Sequence, residues 1–156
     1  MVDRFGDVVV AQLNTAGMGQ LEPELLGAIE AVLAPKAIVL RNDSPARALE
    51  GLPEEVRVAA GALTGAIEVR ENGARFEVDP MSGQKTGWFY DQRDNRAFMA
   101  TLAKGARVLD LYCFVGGFAI EAAVAGAADA TGIDRSEPAL ALAERSAALN
   151  GVAERC

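Results

Sequence analysis

Apolar residues along this chain keep two rhythms, and the switches between them outline its elements. Val8, Val9 and Val10 form a β-branched run after the turn-prone Phe5-Gly6-Asp7, which predicts a strand reaching about Leu13. From Leu21 the spacing becomes helical, with Leu25, Leu26, Ile29, Val32 and Leu33 on one face until Pro35 stops the pattern. Residues 37–40 read as a buried strand. Ser44-Pro45 then supplies an N-cap and a first-turn proline for a short helix ending near Gly51. Farther on, Ile67 and Val69 alternate with Glu68 and Arg70, Asn72-Gly73 follows, and Phe76 and Val78 alternate with Arg75 and Glu77. That pattern predicts a hairpin closed by a type I′ turn, because asparagine and glycine tolerate the two positive φ angles such a turn requires.

After a turn-rich joint at Asp79-Pro80-Met81-Ser82-Gly83 the pattern changes. Residues 91–103 predict a helix ended by Gly105, and residues 106–111 a strand. A glycine loop then leads into a helix closed by Gly126, followed by a short strand over 129–133 that ends on Asp134. Ser136 and Pro138 open a last helix, with Leu140, Leu142, Ala143 and Leu149 on its core side and Asn150-Gly151 at its end. Strand, helix, strand, helix without a tight reversal means a parallel pair joined by a right-handed crossover. The fold class is therefore α/β: a small α+β domain over 1–80, then a domain with parallel strands over 81–156.

Composition narrows the chemistry. Hydrophobic residues make up 51 % of the 156, enough for a core, while aromatics at 6 % and 16 glycines suit close helix-on-sheet packing. With 22 acidic and 15 basic side chains the formal charge is −7, which argues against a basic coat for nucleic acid though not against a local basic site. Residues 1–80 hold 13 acidic and 7 basic side chains, so the second half is nearly balanced. Two cysteines and no histidine exclude a zinc site, a Ser-His-Asp triad and a Cys-His pair within this polypeptide, and no metal is expected. The N-terminus lacks a basic segment leading into a long apolar one, and no run approaches membrane-spanning length. A soluble cytoplasmic protein without a membrane partner is expected.

The candidate site is the stretch Arg107-Val-Leu-Asp-Leu-Tyr-Cys-Phe-Val-Gly-Gly-Phe118. An apolar strand ends near Asp110 and passes through Gly116 and Gly117 into a helix. Such a loop lets a ligand reach backbone N–H groups that a Cβ would block. An ordinary strand-to-helix connection is the plain alternative. Asp134 stands 17 residues after Gly117, close to the roughly 20 expected of a carboxylate that accepts hydrogen bonds from a ribose; its other role would be a helix N-terminal charge. A dinucleotide needs G-x-G-x-x-G, but here the glycines are adjacent, the third is missing and Phe114 and Phe118 flank them. S-adenosylmethionine has no phosphates, and its sulfonium and amino acid head suit carboxylate and carbonyl oxygens. Residues 83–96 place Lys85, Arg93 and Arg96 near Trp88, Phe89 and Tyr90, which suits a carboxylate, a phosphate or a base, or else a salt-bridged helix start with Asp91 and Asp94.

The 107–118 stretch resembles motif I of class I methyltransferases, and Thr131-Gly-Ile-Asp-Arg-Ser136 resembles their second-strand motif. Gly83-Gln-Lys-Thr-Gly-Trp-Phe-Tyr-Asp-Gln-Arg-Asp-Asn-Arg96 is similar to the segment marking the large-subunit ribosomal RNA cytosine-5 methyltransferases, and the first eighty residues to that family's central domain. The resemblance implies a Rossmann-like catalytic domain, here its N-terminal half, with S-adenosylmethionine as cofactor. It implies that Asp110 and the loop from Tyr112 through Phe114 to Gly116 and Gly117 line the pocket, that Asp134 holds the ribose, and that Gln92 and Arg93 approach the methionine end. It implies ribosomal RNA as partner of the full-length protein. The family takes its attacking cysteine from later strands. Neither Cys113, inside motif I, nor Cys156 is expected to be that nucleophile, so no catalytic residue is assigned and an internal, inactive fragment is expected. Loss of later strands would leave an apolar edge at 108–111, which predicts self-association. Two other readings are a nicotinamide-dependent oxidoreductase module and a noncatalytic docking module.

Overall fold

In the computed structural model, which describes Met1–Cys156, the valine run becomes the second strand of a four-stranded sheet ordered β1 (Val2–Phe5), β2 (Val8–Ala11), β3 (Ala37–Asn42), β4 (Glu55–Gly61). β1 and β2 are antiparallel, β2 and β3 parallel with Val9 opposite Ile38, and β3 and β4 antiparallel with a register shift at Ile38/Val39. The short helix α1 (Ala16–Gln20) and the amphipathic α2 (Glu22–Leu33) connect β2 to β3. Ile29 of α2 joins Val9, Ala11, Leu13, Ile38 and Leu40 in the core, with Leu25, Leu26 and Leu33 against it. Val32, expected on the same face, is 78 % exposed.

β3 runs two residues beyond the expected Leu40, through buried Arg41 and Asn42, because both side chains find internal partners. Asn42 Oδ1 accepts the Leu13 N–H at 2.9 Å, and the Arg41 guanidinium donates to the carbonyls of Pro80 and Gly83 at 3.2 and 2.8 Å. Ser44 caps a 3-10 helix, Pro45–Glu50, by accepting the Ala46 N–H.

The chain separates into two compact units that do not follow the expected 1–80 and 81–156 division. One comprises Met1–Ile67 with Asp79–Trp88; the other comprises Glu68–Val78 with Phe89–Cys156. The hairpin β5 (Ile67–Glu71) and β6 (Ala74–Val78) thus goes almost whole to the second unit. Side chains of the last helix explain this: Ser146 Oγ accepts the Glu77 N–H at 2.8 Å, and Asn150 accepts from Arg75 N at 3.0 Å and donates to Arg75 O at 2.6 Å. The type I′ turn is as expected, with φ of 49° at Asn72 and 84° at Gly73.

In the second unit a 3-10 turn (Tyr90–Gln92) leads into α3 (Arg93–Leu102), followed by β7 (Arg107–Leu111), α4 (Gly117–Val124), β8 (Asp129–Ile133) and α5 (Glu137–Leu149). β7 and β8 are parallel, pairing Arg107 with Asp129 through Leu111 with Ile133. Helix α4 is buried along most of its length, which its alanines permit, and Ser136 caps α5 as the sequence predicts. No helix is long and apolar enough to cross a membrane.

Candidate cofactor-binding site

The site forms where β7 gives way to α4. Between them the backbone enters the left-handed region at three alternate residues, Tyr112 (φ 61°), Phe114 (φ 52°) and Gly116 (φ 77°). For the two aromatic residues this conformation is sterically costly, and such strain persists only where surrounding contacts enforce it. Cys113 N–H donates to Ile133 O at 3.0 Å, extending the β7–β8 ladder one residue, and Gly116 N–H donates to Cys113 O at 2.8 Å, closing a tight turn. A Cβ at Gly116 would meet Ile120 Cδ1 at 3.0 Å and Ala143 Cβ at 3.1 Å, so glycine is needed there for space as well as for conformation.

Two carboxylates face this turn. Asp134 Oδ2 accepts the Phe114 N–H at 2.8 Å and its Oδ1 accepts the Ser136 N–H at 2.9 Å. Chiefly the Ser136 bond, with that of Phe114, holds this carboxyl below the usual range despite some burial. Asp110 Oδ2 accepts the Ala119 N–H at 3.2 Å, tying the strand to the first turn of α4. Burial pushes Asp110 up, the Ala119 bond opposes this, and the negative charge of Asp134 adds to it. Each carboxylate keeps acceptor capacity, since about four lone-pair sites exceed the backbone donors of Phe114, Arg135 and Ser136 at Asp134 and of Ala119 at Asp110. That donor set fits S-adenosylmethionine: hydroxyls can donate to the open lone pairs, a sulfonium is attracted by the two negative charges, and a pyrophosphate would be repelled.

Cys113 is buried beneath the loop, its Sγ 3.0 Å from where a Cβ on Gly132 would lie. Burial, with the charges of Asp110 and Asp134, pushes this thiol up to about 11, so at neutral pH it is no thiolate nucleophile.

The structure thus brings together Asp110, Phe114, Gly116, Gly117 and Asp134, while Tyr112 is 89 % exposed at the rim. Gln92 and Arg93 make other contacts. Gln92 Oε1 accepts from Asn95 at 2.9 Å, the Arg93 carbonyl accepts from Asn72 at 3.0 Å, and the Arg93 residue lines a groove at the hairpin tip with Arg70 and Arg75. From that segment it is Phe89 that reaches the loop: its ring lies edge-on to that of Phe114, centroids 5.7 Å apart at 85°.

Behind Phe89 stands a buried polar cluster that sequence reasoning missed. Arg96 Nε donates to Glu71 Oε1 at 2.7 Å and Nη2 to Phe89 O at 2.9 Å, Glu121 Oε1 lies 3.5 Å from Nε, and Asn72 donates to Glu121 Oε2 at 2.9 Å. Arg96 pairs here with carboxylates of the hairpin and α4. The signal was present: Glu71 takes the apolar phase of the strand alternation after Ile67 and Val69, and Glu121 interrupts an otherwise apolar helix.

The family model for S-adenosylmethionine-dependent methyltransferases matches residues 40–154. The Ribosomal RNA large subunit methyltransferase I of Pseudoalteromonas atlantica is 37 % identical over 149 residues, 96 % of this chain and 38 % of that protein. Its namesake from Tolumonas auensis is 38 % identical over 151 residues, again 96 % of this chain and 38 % of the relative. This chain therefore spans little more than a third of these relatives' length. Among solved structures, the methyltransferase SMU.776 complexed with S-adenosylhomocysteine superposes with TM-score 0.81 at 24 % identity, over 97 % of this chain and 38 % of the other. The Methanocaldococcus jannaschii tRNA m1G37 methyltransferase gives 0.76 at 21 %, over 97 % and 43 %. At such identities the superpositions establish the fold, Rossmann-like with parallel strands. The match over residues 40–154, which contains the whole β7–α4–β8 site, places the chain among the S-adenosylmethionine-dependent methyltransferases rather than the nicotinamide-dependent oxidoreductases.

Proposed function

We propose that this chain is the central α+β portion and cofactor-binding half of an RNA methyltransferase that acts on cytosine carbon 5 of large-subunit ribosomal RNA in the cytoplasm. The observation that carries the cofactor part is the clasp of Asp134 on Phe114, which sets a strained loop beside two carboxylates with open lone pairs. The names of the relatives and the 83–96 segment support the RNA part.

When bound, S-adenosylmethionine supplies an electrophilic methyl group. The chain's own residues bind and orient it. Asp134 accepts from the ribose hydroxyls, Asp110 contributes negative charge near the sulfonium, and the backbone of Tyr112, Phe114, Gly116 and Gly117 walls the pocket. The approach of Gln92 and Arg93 to the methionine end rests on the resemblance of the 83–96 segment alone, since their side chain and backbone contacts lie with Asn95 and Asn72. Cys113 packs the loop and attacks nothing, so the chain by itself binds cofactor without turning over substrate.

Calorimetry with S-adenosylhomocysteine and, in parallel, NAD tests the reading. The former is expected to bind and the latter not. Asp134→Ala should weaken S-adenosylhomocysteine by about 10- to 100-fold, as expected for one or more hydrogen bonds to a charged acceptor. Equal affinity in parent and variant would remove Asp134 from the ribose role.

A further inference from the structure

We infer that Arg96 and Phe89 are positioning residues for the cofactor loop. The hairpin carboxylate Glu71 orients Arg96, Arg96 fixes the backbone at Phe89, and the Phe89 ring holds Phe114 in the left-handed conformation from which its N–H reaches Asp134. The inference rests on the proposed cofactor reading only for its functional meaning.

Each link is a direct contact. Arg96, Glu71 and Glu121 side chains are 4 %, 2 % and 2 % exposed, so the guanidinium has no solvent to turn toward and its orientation is set by protein partners. Nε and Nη2 of its planar fork both lie against Glu71 Oε1, and Nη2 also donates to the carbonyl of Phe89. Phe89 then meets Phe114 edge to face, a geometry favoured by the ring quadrupoles. The same guanidinium carbon lies 5.9 Å from the centroid of Phe118, in the first turn of the helix that the loop enters. Phe114 has two restraints against its steric preference, the Asp134 carboxylate and the Phe89 ring. Removing the second should loosen the first. The hairpin at residues 67–78 thereby acquires a purpose in the site: it supplies, through Glu71, the charge that aims Arg96.

Amide hydrogen exchange on the full 156-residue chain tests this at the Phe114 N–H. Phe89→Leu should speed exchange at Phe114 about three- to tenfold, the loss expected for an aromatic pair, while Ala130 in β8 stays within about twofold of the parent. Phe89→Tyr keeps the ring and should exchange like the parent. Arg96→Lys keeps the charge toward Glu71 but cannot span Glu71 and the Phe89 carbonyl, and should behave like Phe89→Leu; if it fails to fold, the Phe89 pair decides. S-adenosylhomocysteine affinity, measured on the same samples, should weaken by a similar factor. Unchanged Phe114 exchange in Phe89→Leu, or equal acceleration at Phe114 and Ala130, overturns the inference. A parent that does not bind S-adenosylhomocysteine overturns the cofactor reading instead, and the exchange result still decides the tether.

Discussion

Gly116 and Glu121 show how much of this site depends on single atoms. A methyl at Gly116 meets both a left-handed backbone and two side chains closer than ordinary van der Waals contact. Gly116→Ala should therefore lower stability by about 1–3 kcal/mol in urea unfolding, from the conformational cost together with overpacking. Glu121 is pushed up to about 7, first by burial and then by neighbouring Glu71, while Asn72 and Arg96 pull the other way. Its folded value lies above the ordinary carboxylate value, so its contribution to stability is complete below about pH 4.5 and is lost as pH rises through about 7. The thermal midpoint should fall as pH rises from about 4.5 to about 7, and Glu121→Gln should flatten that fall. A variant that keeps the parent's slope would show that another group titrates there.

At the scale of elements, the second unit is held together by side chains that satisfy backbone groups of another element. Ser146 is the clearest case: fully buried on α5, its Oγ accepts from Glu77 of β6 and donates to Leu142 O at 2.7 Å. Ser146→Ala leaves the Glu77 N–H without this acceptor and should cost about 1–3 kcal/mol, with faster exchange along β6. Capped helices, glycine stops and the Asn72-Gly73 turn were legible because each depends on residues a few positions apart. β1, α1 and β4 were not. β1 has four residues, α1 buries none of its side chains, and β4 has half-buried residues on both faces, so none carries a strong period. Val32 has the right spacing for the core face of α2, yet no partner covers it.

At the scale of the whole molecule, the second unit leaves one side of its parallel pair uncovered. β7 and β8 have only each other as strand neighbours, and on its outer side β8 makes a hydrogen bond from Ala130 N–H to Arg155 O at 2.7 Å. Leu109, Leu111 and Ile133 project from one face of that pair with 60, 56 and 51 % exposure. An unpaired apolar strand edge invites another chain. We therefore expect the isolated chain to self-associate at tens of micromolar, and Leu109→Lys to reduce this. Sedimentation velocity decides: a monodisperse monomer for the parent would contradict the expectation.

What could be read before any fold was known rests on short-range rules. Asp110, the Gly116-Gly117 pair and Asp134 marked a candidate cofactor loop because a strand end, a glycine turn and the next strand end recur at fixed intervals along a parallel unit. Folding decided which residues guard that loop. Arg96 and Glu71 are 25 positions apart and Phe89 and Phe114 as many, and the hairpin left the first unit for the second through bonds to residues about 70 positions away. Contacts of that range depend on where whole elements settle, and a local pattern of apolar and polar positions holds no record of them.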